Sequence, residues 1–157
     1  MKKLHAWRAT TRKGQHPPTP QSHKVPQPHG IPGWILLTHD PDSQPIALFE
    51  DSRGTVTPLS VILDERMFSD TVLRAIRLSP ALYVVCDIWV LNGINLHEIL
   101  PYTRRRERLD ALLDEFHSPE LTALMTPDQI PRNTLVRGYE YYDDAPGTMG
   151  IFLPAVE

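Results

Sequence analysis

The chain has 157 residues, 41% hydrophobic and 22% charged, the balance of one globular domain with a core of its own. No apolar run reaches the ~18 residues of a membrane-spanning helix, and the lysines at the N-terminus are not followed by the apolar stretch of a secretory signal, so the expected location is cytoplasmic. The single cysteine, Cys86, excludes an intrachain disulfide and a thiolate-built zinc cluster; its apolar neighbours make it a small buried hydrophobe rather than a nucleophile.

The net charge of −3 hides an asymmetry. The first 39 residues hold Lys2, Lys3, Arg8, Arg12, Lys13 and Lys24 and no acid, so they carry +6 and the remainder −9. A cationic arm of this kind suits nucleic-acid phosphates or an acidic protein surface; a solubilising tail is the plainer reading. Residues 1–29 also contain Pro17, Pro18, Pro20, Pro26 and Pro28, and proline removes a backbone donor and fixes φ. This arm is therefore expected to be extended or disordered rather than packed, with Leu4, Trp7 and Val25 as its residues able to dock. Its histidines are too scattered to form a metal set. Residues 30–157 form the expected single domain.

In chain order, 34–38 and 46–49 read as the strands of a hairpin around the Asp40–Ser43 turn, and Asp51–Gly54 turns again. Residues 61–63 read as a short strand and 70–78 as a short helix or loop. Residues 81–91 are the strongest strand, β-branched and aromatic on both faces and broken only by Asp87, and Asn92-Gly93 closes it. Pro101 precedes a clear helix over 102–116, with Leu109, Leu112, Leu113 and Phe116 on one face. Its cap, Thr103 with Arg106-Glu107, is imperfect. Ser118-Pro119-Glu120 is expected to open a second short helix through Met125. Residues 134–142 and 148–153 read as final strands around a turn at 143–147. The fold class is α+β: an antiparallel, hairpin-rich sheet with one main helix and one short one.

One thirty-residue stretch adds a resemblance. Asp87 in a buried strand, then Asn92-Gly93, Leu100-Pro101-Tyr102 and Arg105-Arg106 opening a helix through Leu113, is similar in order and register to the covalent nucleotidyltransferase domain of ATP-dependent DNA ligases and mRNA capping enzymes. Upstream, Gly33-Trp34, Ser52-Arg53-Gly54 and Leu63-Asp64-Glu65 match the order of that family's Lys-x-Asp-Gly, Ser-Arg-x-Gly and Leu-Asp-Gly-Glu motifs. The departures are chemical. Gly30 stands where the family has its nucleophilic lysine and Pro32 where it has the aspartate. The glycine of Leu-Asp-Gly-Glu is missing. The late Glu-Gly-Ile/Val-Val-x-Lys has its counterpart either in Met149–Pro154, without glutamate or lysine, or in a motif beginning at Glu157.

The resemblance implies a ligase/capping-like fold, with no OB domain expected. It implies a nucleotide cleft lined by Ser52, Arg53, Asp64, Glu65 and Asp87, with ATP and Mg2+ as its ligands if the cleft is functional. Without the amine that attacks the α-phosphate, no catalytic residue is assigned and no self-adenylylation is expected. The chain then serves to bind nucleic acid, nucleotide or a protein partner. Two alternatives stand beside this: an active ligase or capping-type fragment whose lysine comes from elsewhere (Lys24 lies six residues too early), and a structural subunit of a larger assembly, for instance a phage one.

Three further readings come from the residues alone. Arg104, Arg105 and Arg108 share a helical face and, with Lys2, Lys3, Arg12 and Lys13, are candidates for nucleic-acid contact; Asp110, Asp114 and Glu115 are positioned to pair with them instead. Glu140, Asp143 and Asp144 lack calcium-loop spacing and read as a solvated turn, so no metal site is expected. The sequence has no Gly-x-Ser-x-Gly, no phosphate-binding Gly-rich loop and no Rossmann fingerprint.

Overall fold

The computed structural model describes residues 22–59, 65–116, 123–130, 135–142, 144, 146 and 151–154. Within them the chain is mixed α+β and mostly sheet. The large sheet runs in the order β4 (Val56–Leu59), β3 (Pro45–Asp51), β2 (Ile31–His39), β5 (Thr71–Ser79), β6 (Leu82–Leu91) and β7 (Ile94–Asn95). A further strand, β8 (Ala123–Met125), lies parallel to β6, and every other pairing in the sheet is antiparallel. A smaller antiparallel sheet holds β9 (Val136–Tyr142) between β1 (His23–Pro28) and β10 (Ile151–Pro154).

The β2–β3 hairpin forms where the apolar runs and Asp-Pro-Asp-Ser turn place it. Asp40 holds the turn, its carboxylate accepting the N–H groups of Asp42 and Gln44, each at 2.9 Å. Strand β6 is buried from Tyr83 to Val90, as a run apolar on both faces requires. It ends at Asn92 and Gly93, both at positive φ (48° and 82°), the backbone of a tight hairpin turn. A four-residue helix, α1 (Leu96–Ile99), leads into the main helix, α2 (Tyr102–Phe116). Leu109 and Leu113 of α2 pack with Ile35, Leu37, Phe49, Leu73, Tyr83 and Ile88 on one face of the large sheet. On the other face Ile76, Val84 and Cys86 meet Val25 and Tyr142 of the small sheet, and Trp34, Leu36, Val72, Trp89 and Val90 form a separate cluster. Cys86 is fully buried, and burial pushes its thiol up to about 12, which removes nucleophilic character.

Three expectations change. The stretch 70–78, expected as a short helix or loop, lies in strand β5 (Thr71–Ser79) from Thr71 on. Thr71, Val72, Leu73, Ala75 and Ile76 are buried on alternating sides, and the side chain of Arg74 is largely buried against Glu140, a partner in another sheet. Residues 123–125 are a strand, because Leu124 completes the core under β6; residues 117–122 lie outside the described residues. Residues 23–28 of the Pro-rich stretch are extended as expected but packed, with Val25, Gln27 and Pro28 buried against the body. Pro26 and Pro28 fit because β1 is an edge strand. The expected strand at 61–63 and residues 1–21 lie outside the described residues.

The N-terminus of α2 is capped through tertiary structure rather than by Thr103 with Glu107. The Asp144 carboxylate accepts the Thr103 backbone N–H (3.0 Å) and hydroxyl (2.8 Å) and lies 2.9 Å from Nε2 of His23. Burial opposes ionisation of Asp144, but the bonds to His23 and Thr103 outweigh it and hold the carboxyl below its ordinary 3.8. Asp144→Ala is expected to cost about 1 kcal/mol, as loss of a helix cap does. A depressed carboxyl contributes its stability above its ordinary value and loses it as pH falls through the lowered one. Urea unfolding should therefore separate wild type from Asp144→Asn near neutrality and bring them together in strong acid. A gap independent of pH would contradict the cap.

Candidate functional site

The turn after β3 is built tightly. The Asp51 carboxylate accepts the backbone N–H groups of Arg53 (2.9 Å) and Thr55 (3.0 Å), Gly54 takes φ 89°, and the Ser52 N–H donates to the Pro32 carbonyl at 3.1 Å. That last bond ties the turn to the start of β2. Between them lies a hollow of about 410 Å³ lined by Gly30, Ile31, Pro32, Asp51, Ser52, Arg53 and Arg137. Arg137 comes from β9, and its guanidinium stands 4.5 Å from the Phe152 ring. Two guanidinium groups, a hydroxyl and one carboxylate partly satisfied by backbone donors leave the hollow with a formal charge of +1. A planar fork of N–H donors suits an oxyanion with two oxygens to offer.

Position 30 explains part of this shape. A Cβ on Gly30 would lie 2.5 Å from the Arg77 carbonyl oxygen and 2.8 Å from Cγ2 of Ile76, so no side chain fits there. Among the described residues no lysine lines the hollow. Lys24 is turned elsewhere, with its ammonium 4.1 Å from the centre of the Tyr139 ring, and it borders a different cavity, beside His23, Tyr102 and Arg106.

Of the sequence-derived cleft residues, Ser52 and Arg53 therefore meet at one hollow, while Asp87 does not face it. Asp87 is fully buried, and its two oxygens accept Nε–H and Nη2–H of Arg105 at 2.8 and 2.9 Å. This corrects two expectations at once. Asp87 is the partner of a guanidinium within the chain rather than the wall of an open cleft. Arg105, 1% exposed, leaves the set available to nucleic acid. Burial opposes its charge, but the adjacent Asp87 carboxylate prevails and raises its pKa. Arg104 and Arg108 stay exposed on the outer side of α2, where Arg104 pairs with Glu107 at 3.3 Å. Asp64, Lys2, Lys3, Arg12, Lys13 and Asp143 lie outside the described residues, as does the side chain of Glu65, whose backbone opens a 3₁₀ turn (Glu65–Met67).

A second polar group joins the two sheets. Arg74 reaches Glu140 at 3.5 Å and the Gly33 carbonyl at 3.2 Å and lies over Trp34, and the Tyr142 hydroxyl donates to the Glu140 carboxylate. Burial, then Glu140, push the Tyr142 hydroxyl well above its ordinary value, so it stays protonated and keeps donating. Glu140 is thus an internal partner rather than part of a solvated turn. Among the described residues no three His, Cys, Asp or Glu side chains gather to hold a metal ion. No helix among them is long and apolar enough to cross a membrane.

Sequence reasoning marked Gly30 and Pro32 as departures from a motif and missed Arg137, which enters the hollow only because β9 pairs with β1. Nothing local in the sequence signals that arrival. No protein-family model matches the chain, and no curated protein matches it.

Proposed function

We propose that the chain is a nucleotidyltransferase-like module that seats a phosphate group of a nucleotide or nucleic acid without transferring it. The carrying observation is the hollow itself: Ser52, Arg53 and Arg137 converge where the resemblance would put the nucleotide, and among the described residues no amine stands beside them. The packing around Gly30 supports the same reading, because the lysine position of the ligase and capping family has no room here for a side chain. The hairpin β2–β3 and the β6–turn–helix succession also fit that family's order of elements. Binding is then electrostatic and reversible. Any magnesium arrives with the triphosphate.

Two charge-assisted guanidinium–phosphate contacts contribute about 1.5–3 kcal/mol each. The double variant Arg53→Glu/Arg137→Glu should therefore lose nucleotide retention in equilibrium dialysis by roughly two orders of magnitude or more. Both residues are exposed, so its thermal unfolding should match wild type. Equal retention by wild type and the double variant would defeat the proposal.

A further inference from the structure

Arg137 and Phe152 stand on neighbouring strands of the small sheet, β9 and β10. The Arg137 guanidinium lies over the Phe152 ring, 4.5 Å from its centre. Gly138 lets the ring sit there. A Cβ at that position would come within 2.7 Å of Cε2 and Cζ of Phe152, so the ring lies directly against bare backbone beside Arg137. Phe152 is half-buried, a seated ring rather than a free one. Two other described arginines lie over rings, Arg74 over Trp34 and Arg105 over Tyr102, and each also holds a buried carboxylate, Glu140 and Asp87. Arg137 is placed differently: among the described residues it has the ring and no ion-pair partner. Stacking occupies the face of a guanidinium, whereas its N–H donors lie in the plane. The donors of Arg137, which lines the hollow, thus remain for a ligand there.

We infer that Phe152 is a positioning residue of the phosphate hollow: its ring holds one face of the Arg137 guanidinium and presents the N–H fork to a phosphate oxyanion. This deepens the phosphate-seating reading and rests on it. A long side chain on an exposed strand position loses rotamer freedom when it grips a ligand, and one already stacked loses less. An aliphatic side chain of similar bulk at position 152 would fill the space without offering a π-face to the cation.

The test is retention of ATP with magnesium in equilibrium dialysis. Phe152→Leu should weaken it about two- to tenfold, while Phe152→Tyr retains it, with the thermal unfolding of both near wild type. In an Arg137→Ala background Phe152→Leu should have no further effect, because the ring then has nothing to hold. Phe152→Met serves in the same way if the leucine variant unfolds. A second readout needs no ligand: the Arg137 Nε–H resonance in 15N NMR, displaced by the ring current of Phe152, should shift in Phe152→Leu and stay in Phe152→Tyr. A folded Phe152→Leu protein that retains ATP as wild type does overturns the inference, as does an Arg137 resonance that ignores the substitution. An equal loss in the Arg137→Ala background also overturns it, since the ring would then act by packing alone. Failure of the underlying reading is distinct: wild type itself then holds no ATP, and the inference falls with it.

Discussion

Arg105→Ala is expected to destabilise the protein by about 3–5 kcal/mol, because it strands a buried carboxylate without its partner. Asp87 is fully buried and both its oxygens are engaged by Arg105. The same guanidinium donates to the Leu100 carbonyl at 2.8 Å, and so holds the approach to α2 against β6. The loss is a large part of the 5–15 kcal/mol that a domain of this kind has in total. Removing both charges with apolar side chains of similar size should recover much of it, since the pair's own desolvation cost disappears too. Urea unfolding of Arg105→Ala and of Asp87→Leu/Arg105→Met measures both. A loss below about 1 kcal/mol for the single variant would show that the pair is not the joint described here.

Installing a lysine at position 30 should damage the fold before it supplies any chemistry. The first atom of the new side chain would press on the Arg77 carbonyl and on Ile76, which is 2% exposed in the core between the two sheets. The Arg77 side is backbone, in the long β2–β5 pairing, and does not move without breaking the register. Overpacking of this type costs about 1–3 kcal/mol, and backbone contact puts Gly30→Lys at the upper end or beyond. Thermal unfolding should fall clearly, and the variant should form no nucleotide adduct. A Gly30→Lys protein as stable as wild type would mean that the position is open, and that the missing amine is an accident of sequence rather than of packing.

The elements most legible in the sequence were those whose signal is local. Strand β6 announced itself by an apolar run and an Asn-Gly turn, and α2 by Pro101 and a 3.6-residue apolar spacing, and both span the expected residues. The elements misread were those whose burial is decided from far away. Arg74 and Arg77 made β5 resemble an exposed helix, yet Arg74 is satisfied by Glu140, 66 residues on. Strand β8 owes its extended form to β6, and β1, extended as expected, owes its packing to β9.

The site divides the same way. Ser52 and Arg53 belong to a turn readable from Asp-Ser-Arg-Gly, whereas Arg137 reaches the hollow through strand pairing across more than a hundred residues. Asp87 shows the limit most plainly. An aspartate in an apolar strand signals a partner, and whether that partner is a ligand or an arginine 18 residues later is settled only by the fold.

Binding without transfer is tested most directly with α-labelled ATP and magnesium: dialyse to equilibrium, measure the label held by the native protein, then denature and measure what stays attached. Wild type should hold label while folded, lose it entirely on denaturation, and hold little in Arg53→Glu/Arg137→Glu. Label that survives denaturation would mean that a covalent adduct forms at a side chain not recognised here, and would contradict the account.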